Sequence, residues 1–432
     1  MSRRGGHPAR VPAAREAWAP ALLAGLLPLL VAAEAAGAPR PPRFVLACQL
    51  PDSTPLPLLP SARQGGGAAA SDSDDDDDDD DDDADSGGIR PPGLDACVRI
   101  SGTVNQGLQR DWYRAGVQAK ATGQVPKPVT SFPLTASFRI ESGSVLGNGD
   151  ALLTAFEFET TTDTSGSQST TLTEASATIG PWTFGFTDSR FDFWTGEDFV
   201  FVARIPSRTV NLFAFEGALS DPLRLSLSLE DTRQDQPQGS VPSLGRRYPD
   251  GVARLVYETD ALTVHGALAL REVPGANGAG TRLGRAALLG LSWTTEIVGH
   301  ELRLSGQVAG AVDAAPYIGS QLDRRTSLPL LLPDEGTRGW SAVASVGWDW
   351  SELWSSNAYV SRYRLSLTGN GQSATVAIDR FAANLLWQPL DGLKTGIELS
   401  VALQRANLAG RTGALALAGR QSSLQAFIER SF

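Results

Sequence analysis

The sequence predicts an all-β chain, most of it a 16-stranded antiparallel β-barrel that crosses a membrane with strands. Three observations predict it. From Cys97 onward, apolar residues recur at every second position in segment after segment. Sixteen such segments can be marked, beginning near residues 98, 132, 151, 171, 182, 209, 223, 252, 262, 286, 301, 340, 353, 376, 393 and 422. Their number is even, and the connections between them alternate short and long. Tryptophans stand near segment ends: Trp182, Trp293, Trp340, Trp350, Trp354 and Trp387. A soluble two-sheet sandwich also alternates and is the competing reading. It gives no reason for short turns at one rim and long loops at the other, nor for indole rings at strand ends, where they suit a hydrocarbon edge.

Composition agrees. Of 432 residues, 41% are hydrophobic and 20% charged, so the chain is not disordered throughout. With 45 glycines and one methionine it favours turns and short strands over long helices. Two cysteines and three histidines are too few for a Cys/His metal cluster or a disulfide scaffold. The net charge of −11 misleads, because ten consecutive aspartates run from Asp74 to Asp83. From Cys97 to Phe432 there are 29 Arg and Lys against 32 Asp and Glu, without the basic excess of a nucleic-acid binder.

The segments follow in order. Arg3, Arg4, Arg10 and Arg15 precede an apolar run from Ala19 to Ala33, broken by Pro20 and Pro28, and then Ala33-Glu34-Ala35. Residues 1–35 therefore read as a signal peptide, with Ala38 as a second cleavage position and a retained anchor helix as the alternative. Residues 36–96 form a low-complexity segment. It is rich in proline between Pro39 and Pro60, then in glycine, and then carries the aspartate run, whose carboxylates repel one another and stay solvated. Calcium loops space their ligands and turn on glycine, so no metal site is expected here. Cys48 and Cys97 bracket this segment; in an exported chain they are expected to pair, with two free thiols as the alternative.

Residues 97–432 are the barrel. Ala136, Phe138 and Ile140 interleave with Ser137, Arg139 and Glu141; Leu225, Leu227 and Leu229 with Ser226, Ser228 and Glu230. Val264, Leu268 and Leu270 share one face, and Thr263, His265 and Arg271 the other. Trp340, Ala342, Ala344, Val346, Trp348 and Trp350 form a single face. Ile397, Leu399, Val401 and Leu403 oppose Lys394, Glu398, Ser400 and Gln404. Tight turns are expected at Gly180-Pro181, Asp260, Ser351-Glu352 and 389–392, and long loops near 108–131, 188–208, 232–251, 312–339 and 405–421.

Several stretches carry a resemblance: ACVRISGTV at Ala96–Val104, GPWTFGFTDSRFDFW at Gly180–Trp194 and LSLSLEDTR at Leu225–Arg233. YPDGVARLVYE at Tyr248–Glu258, ALALREV at Ala267–Val273 and GWSAVASVGW at Gly339–Trp348 follow. FAANLLWQPLDGLKTGIELS at Phe381–Ser400 and a last strand ending in Phe432 complete them. In this order the chain resembles the alphaproteobacterial porins, the Brucella and Rhizobium type of outer-membrane porin, from about Phe44 to the end. The resemblance implies a trimeric 16-stranded barrel whose third long loop folds into the lumen, open to small hydrophilic solutes and ions by passive diffusion, in the outer membrane of a Gram-negative bacterium. It implies no cofactor and no enzyme activity. Its partners would be outer-membrane lipid and lipopolysaccharide, two further copies of the chain and the barrel assembly machinery, for which Phe432 would be the signal. Small outward residues (Gly102, Ala136, Ala175, Ala177) would suit the trimer contact. The insertion between the two cysteines departs from the pattern.

Within such a pore the third loop offers Asp188, Asp192, Glu197 and Asp198 as the acidic side of a constriction. Arg99 and Arg139, at inward positions of the first strands, are its expected basic side. An outer-membrane hydrolase is a second reading, but His265 and His300 have no serine elbow or paired-carboxylate motif beside them. A plugged adhesin or structural barrel is a third.

Overall fold

In a computed structural model the described residues are 46–51, 56–57, 87–114, 127–163, 165–194, 196, 198–231, 248–274, 281–319, 336–369, 372–410 and 413–432. Residues 1–35, the aspartate run and Glu197 lie outside them. Three short strands come first: β1 (Leu46–Gln49), β2 (Leu56–Pro57) and β3 (Gly87–Arg90). β4 (Cys97–Arg114) opens the barrel and β5 (Val129–Ser131) is a short addition beside it. The wall continues through β6 (Leu134–Val145), β7 (Ala151–Thr162), β8 (Gln168–Ile179), β9 (Trp182–Asp188), β10 (Thr209–Ser220), β11 (Leu223–Asp231) and β12 (Asp250–Glu258). It is completed by β13 (Leu262–Pro274), β14 (Thr281–Ile297), β15 (His300–Val312), β16 (Thr337–Ser351), β17 (Trp354–Gly369), β18 (Gln372–Leu390), β19 (Leu393–Gly410) and β20 (Gly413–Ser431). Each strand from β6 to β20 pairs antiparallel with the next, β4 pairs with β6, and β20 returns to β4, with Arg420 opposite Arg114 and Ser431 opposite Thr103. β4 and β6 to β20 thus make a closed 16-stranded antiparallel barrel.

Closure removes every edge, and alternation sorts the side chains. Leu268, Leu270, Leu289, Val360 and Ile397 are exposed outside, whereas Ser226, Glu230, Arg271, Asn384 and Glu398 are buried on the inner face. The six tryptophans expected at strand ends are all exposed. Along β16, Trp340 and Trp350 are ten residues apart on the outer face, about 25 Å in height for a strand tilted by about 40°. The last residue joins the closure: Phe432 and Gly102 exchange backbone hydrogen bonds, each 3.0 Å. The Phe432 ring covers Gly102 so closely that a Cβ there would lie 2.8 Å from it.

Strand starts and turns agree with the pattern except at the end. The loop expected over 405–421 is a tight turn, because β19 runs to Gly410 and β20 starts at Gly413. Ala406, Ala409, Ala414, Ala416 and Ala418 put small residues on both faces here, which erased the contrast that marks a strand. β4 also runs past the expected loop start at 108, as far as Arg114, because charged and amide side chains alternate there with Leu108 and Trp112.

The N-terminal segment is bound at the rim of short turns. β1 pairs with β3, Ile89 of β3 pairs with Val98 of β4, and Cys48 is disulfide-bonded to Cys97. Leu50 and Pro51 lie against Gly143, on the inward side of β6. Leu56 and Pro57 then pair in parallel with Gly217 and Ala218 at the end of β10.

Inside, one sector is packed rather than open. Ala267, Ala269, Ala286, Ala309 and Ala311 are buried on the inner faces of β13 to β15, against Phe191, Tyr317 and Ile318. Tyr317 and Ile318 belong to a 3-10 helix, Ala315–Ile318, in the connection after β15. A second cluster joins Trp194, Phe199, Ala203 and Ile205 to Val343, Tyr359 and Ala382.

Candidate functional site

The connection from Ser189 to Arg208, between β9 and β10, is tied at its base and along its length. At the base, Ser189 N–H donates to Arg208 O (2.8 Å), and Arg208 N–H donates to Asp192 Oδ2 (2.5 Å). The fully buried Glu230 of β11 accepts from Ser189 Oγ (2.8 Å) and Arg190 N–H (3.0 Å), and lies 3.7 Å from Arg208 Nη2. The Arg208 guanidinium stacks 4.0 Å above the Tyr317 ring, whose hydroxyl donates to Asp250 Oδ2 (3.1 Å). Burial pushes the Asp192 carboxyl up to about 7 despite Arg208, and Asp192 Oδ1 is buried without a hydrogen-bond partner.

Further along, strands β15 to β19 hold the connection from their polar face. Trp194 N–H donates to Gln307 Oε1 (2.9 Å), and its indole N–H reaches Ser305 (3.1 Å) and Ser345 (3.2 Å). Glu398, fully buried, accepts from two successive backbone groups, Val200 N–H and Phe201 N–H, both at 2.8 Å. Asn384 Nδ2 donates to Asp198 O (2.5 Å), Arg380 to Val202 O (2.7 Å), and the Tyr359 hydroxyl to Phe201 O. These anchors sit on inward positions, where a polar side chain can satisfy loop backbone that would otherwise be buried unpaired.

The inner wall of β4 and β6 to β8 carries a charge cluster. Arg99 Nη2 lies 2.6 Å from Glu141 Oε2. Arg139 bonds three carboxylates: Glu141 (3.0 Å), Glu157 (3.0 Å) and Glu174 (2.5 Å). Glu157 and Glu174 are directly opposite in register, a like-charge pair that Arg139 bridges. The cluster holds two guanidiniums and three carboxylates, so it is acidic at neutral pH.

The expected residues are placed unevenly. Arg99 and Arg139 come together on the wall, already paired with glutamates. Asp188 is exposed at the end of β9 and accepts from Thr209 Oγ1 (3.3 Å). Asp192 belongs to the loop base and Glu197 lies outside the described residues. Asp198 is exposed and borders a hollow of about 710 Å³ beside His300, Glu301, Arg303 and Asp349, near the short-turn rim. Composition reading missed the wall glutamates and the arginines of the loop. Arg204, Arg208 and Arg380, with Thr171, Thr173, Ser207 and Gln404, line a hollow of about 680 Å³ between the loop and β8, β18 and β19. The inward parity of Glu141, Glu157 and Glu174 was available in the sequence. The loop's fold, which decides where Arg204 and Arg208 point, was not.

His265 is buried with its ring 5.2 Å from Phe193, and His300 Nδ1 lies 3.1 Å from Asp349 O. Among the described residues no group of three or more His, Cys, Asp or Glu could hold a metal ion.

Solved structures that match this architecture include two outer-membrane barrels. The outer-membrane channel DcaP of Acinetobacter baumannii aligns with a TM-score of 0.60 at 14% identity, over 78% of this chain and 97% of that one. OmpF of Salmonella typhi, solved with daunomycin, aligns with a TM-score of 0.52 at 12% identity, over 78% and 98%. The chain has the fold of these barrels. No family model and no curated protein sequence matches it.

Proposed function

We propose that the chain is a porin of a Gram-negative outer membrane, a water-filled channel through which small hydrophilic solutes and ions diffuse passively. One observation carries the reading: a closed barrel whose outer face is an apolar band between tryptophans, while its inner face is polar and charged. The neighbours of like fold, an outer-membrane channel and OmpF, support it. The anchors on Gln307, Tyr359, Asn384 and Glu398 support reading the 189–208 connection as an inward fold that narrows the lumen. On this reading the constriction runs between the acidic wall cluster and a basic side made by Arg204 and Arg208 of the loop with Arg380 of β18. Charges of opposite sign across a narrow, low-dielectric gap set up a transverse field that favours small polar solutes. Asp198 would act at the short-turn mouth, Asp188 at the foot of the loop, and Asp192 in shaping it.

The finer assignments belong to the same proposal: the Brucella and Rhizobium type, a homotrimer through the lipid face of the first and last strands, an export signal at 1–35, and Phe432 as the assembly signal. Ala136, Ala175 and Ala177 of the first strands are the small outward residues such a contact needs, whereas Gly102 lies buried under the Phe432 ring. No catalytic role is assigned to either histidine. Conductance in a planar lipid bilayer under a potassium chloride gradient tests the reading. Discrete steps of common size are expected. Silence from a folded, heat-modifiable barrel would refute an open pore and favour a plugged one, which the packed sector under Phe191 and Tyr317 would then explain.

A further inference from the structure

The outer face of β12 to β16 differs from the rest of the band. Reading across the strands through paired residues, one row runs Leu227, Ala253, Leu268, Ala287, Gly310, Trp340. The next row toward the long-loop rim runs Leu229, Gly251, Leu270, Arg285, Val312, Arg338. Small residues therefore form floors on both sides of the Leu268 and Leu270 ridge, and Trp340 is the far wall. The resulting groove has a volume of about 940 Å³. Among the described residues nothing fills it: a Cβ built on Gly251 or Gly310 meets nothing within 4 Å.

Arg285 and Arg338 stand at the long-loop end of this groove, one on each side of Val312. Two strand spacings separate them, about 10 Å. Both are exposed, and neither makes an ion pair among the described residues. Among the described residues the carboxylate close by on the outer face is Glu272, which accepts from Tyr248 N–H (3.2 Å). Two guanidiniums at the edge of an apolar band, above troughs of acyl-chain width, call for a group that is anionic at one end and hydrocarbon at the other. A phosphate suits them, because a guanidinium binds it with two parallel hydrogen bonds.

We propose that the groove over β12 to β16 is a binding site for a phosphorylated lipid, its acyl chains lying on the Ala253, Ala287 and Gly310 floors and its phosphate held between Arg285 and Arg338. The site rests on the membrane-spanning reading and adds a particular ligand to it. The aromatic and charged rim supplies the headgroup end, and the alanine and glycine floors supply the space that other outward positions fill with their own side chains.

Native mass spectrometry of the folded, detergent-extracted protein tests it, with dioleoyl phosphatidic acid as the probe and dioleoyl phosphatidylcholine as the neutral-headed control. Wild type is expected to retain the phosphatidic acid at least about tenfold better. R285Q/R338Q should abolish that difference and R285K/R338K should keep part of it. Gly310→Leu, which fills the floor without touching the barrel, should weaken both lipids. Equal retention of the two lipids, or retention unchanged in R285Q/R338Q and Gly310→Leu, overturns the site. So does dissociation of an oligomer by Gly310→Leu with lipid retention unaltered, which would make the groove a contact between copies. A chain that neither inserts into vesicles nor conducts would remove the membrane reading itself. One that inserts and conducts without phosphate preference removes only the groove.

Discussion

Glu398→Ala separates the loop's anchorage from the barrel's integrity. The carboxylate is fully buried and accepts from Val200 N–H and Phe201 N–H at 2.8 Å each, with Asn384 Nδ2 at 3.4 Å. Hydrogen bonds to a charged group contribute about 1.5–3 kcal/mol each, so the two backbone bonds together hold the loop by about 3–6 kcal/mol. Alanine leaves both donors without their charged acceptor, so the middle of the loop is held more weakly. Glu398→Gln keeps one acceptor oxygen and turns an NH2 toward the other donor, so about half the effect is expected. The assay is single-channel recording at fixed voltage. Glu398→Ala should replace a quiet open level by fluctuation among substates and admit larger neutral polymers, with Glu398→Gln between it and wild type. The barrel's heat-modifiable mobility should persist, since β19 remains paired with both β18 and β20. Traces and polymer cutoff identical to wild type would refute the claim that this carboxylate holds the loop.

Four further outcomes are expected. The chain-entropy argument gives the Cys48–Cys97 link about 4 kcal/mol for a closed loop of about 50 residues, so reduction should release β1 and β3 to protease while the barrel stays intact; alkylation of the unreduced, denatured chain should find no thiol. Asp192, held up to about 7 by burial, keeps its proton in the fold more tightly than in the unfolded chain, so its contribution to stability is full below about pH 4 and is lost as pH rises through 7. Melting temperature measured over that range should fall in wild type more than in Asp192→Asn. Arg139→Gln should leave Glu157 and Glu174 unbridged and shift the reversal potential toward cations, whereas Glu141→Gln with Glu174→Gln should shift it toward anions. Ala269→Leu, inside against the packed sector, should lower stability by about 1–3 kcal/mol, while Ala287→Leu, outside on the next strand, should change melting by less than a degree or two.

The barrel was legible because its rule is local. A period of two with lipid on one side and water on the other writes itself into each strand, as in Leu225 to Glu230, and a strand end into each glycine or proline turn. It failed where both faces are small, as along Ala406 to Ala418. The site was legible only in part, for a different reason. Arg99, Arg139 and the glutamates around them could be assigned to the inner wall by parity, but a loop has no parity. Whether Asp192 faces the lumen or its own loop base depends on Arg208 and Glu230 arriving from either side of it, which only the folded chain specifies. Glu398 was visible as an inward acid. Its meaning as an acceptor for two backbone groups nearly two hundred residues away was not.

The same sector explains the packed interior and the outer groove. Strands β13 to β15 carry alanine inward at 267, 269, 286, 309 and 311, and small residues outward at 287 and 310. A wall built of small side chains on both faces is thin, and each face lacks volume that a dense interior or a lipid bilayer must fill. On the inner side Phe191, Tyr317 and Ile318 from two separate connections supply that volume, and the inward alanines make sense only with those rings above them. Outside, no side chain among the described residues reaches the floor around Gly310. Membrane hydrocarbon suits such a floor, and two arginines at its edge, without an ion pair among the described residues, select which hydrocarbon: chains whose headgroup carries a phosphate.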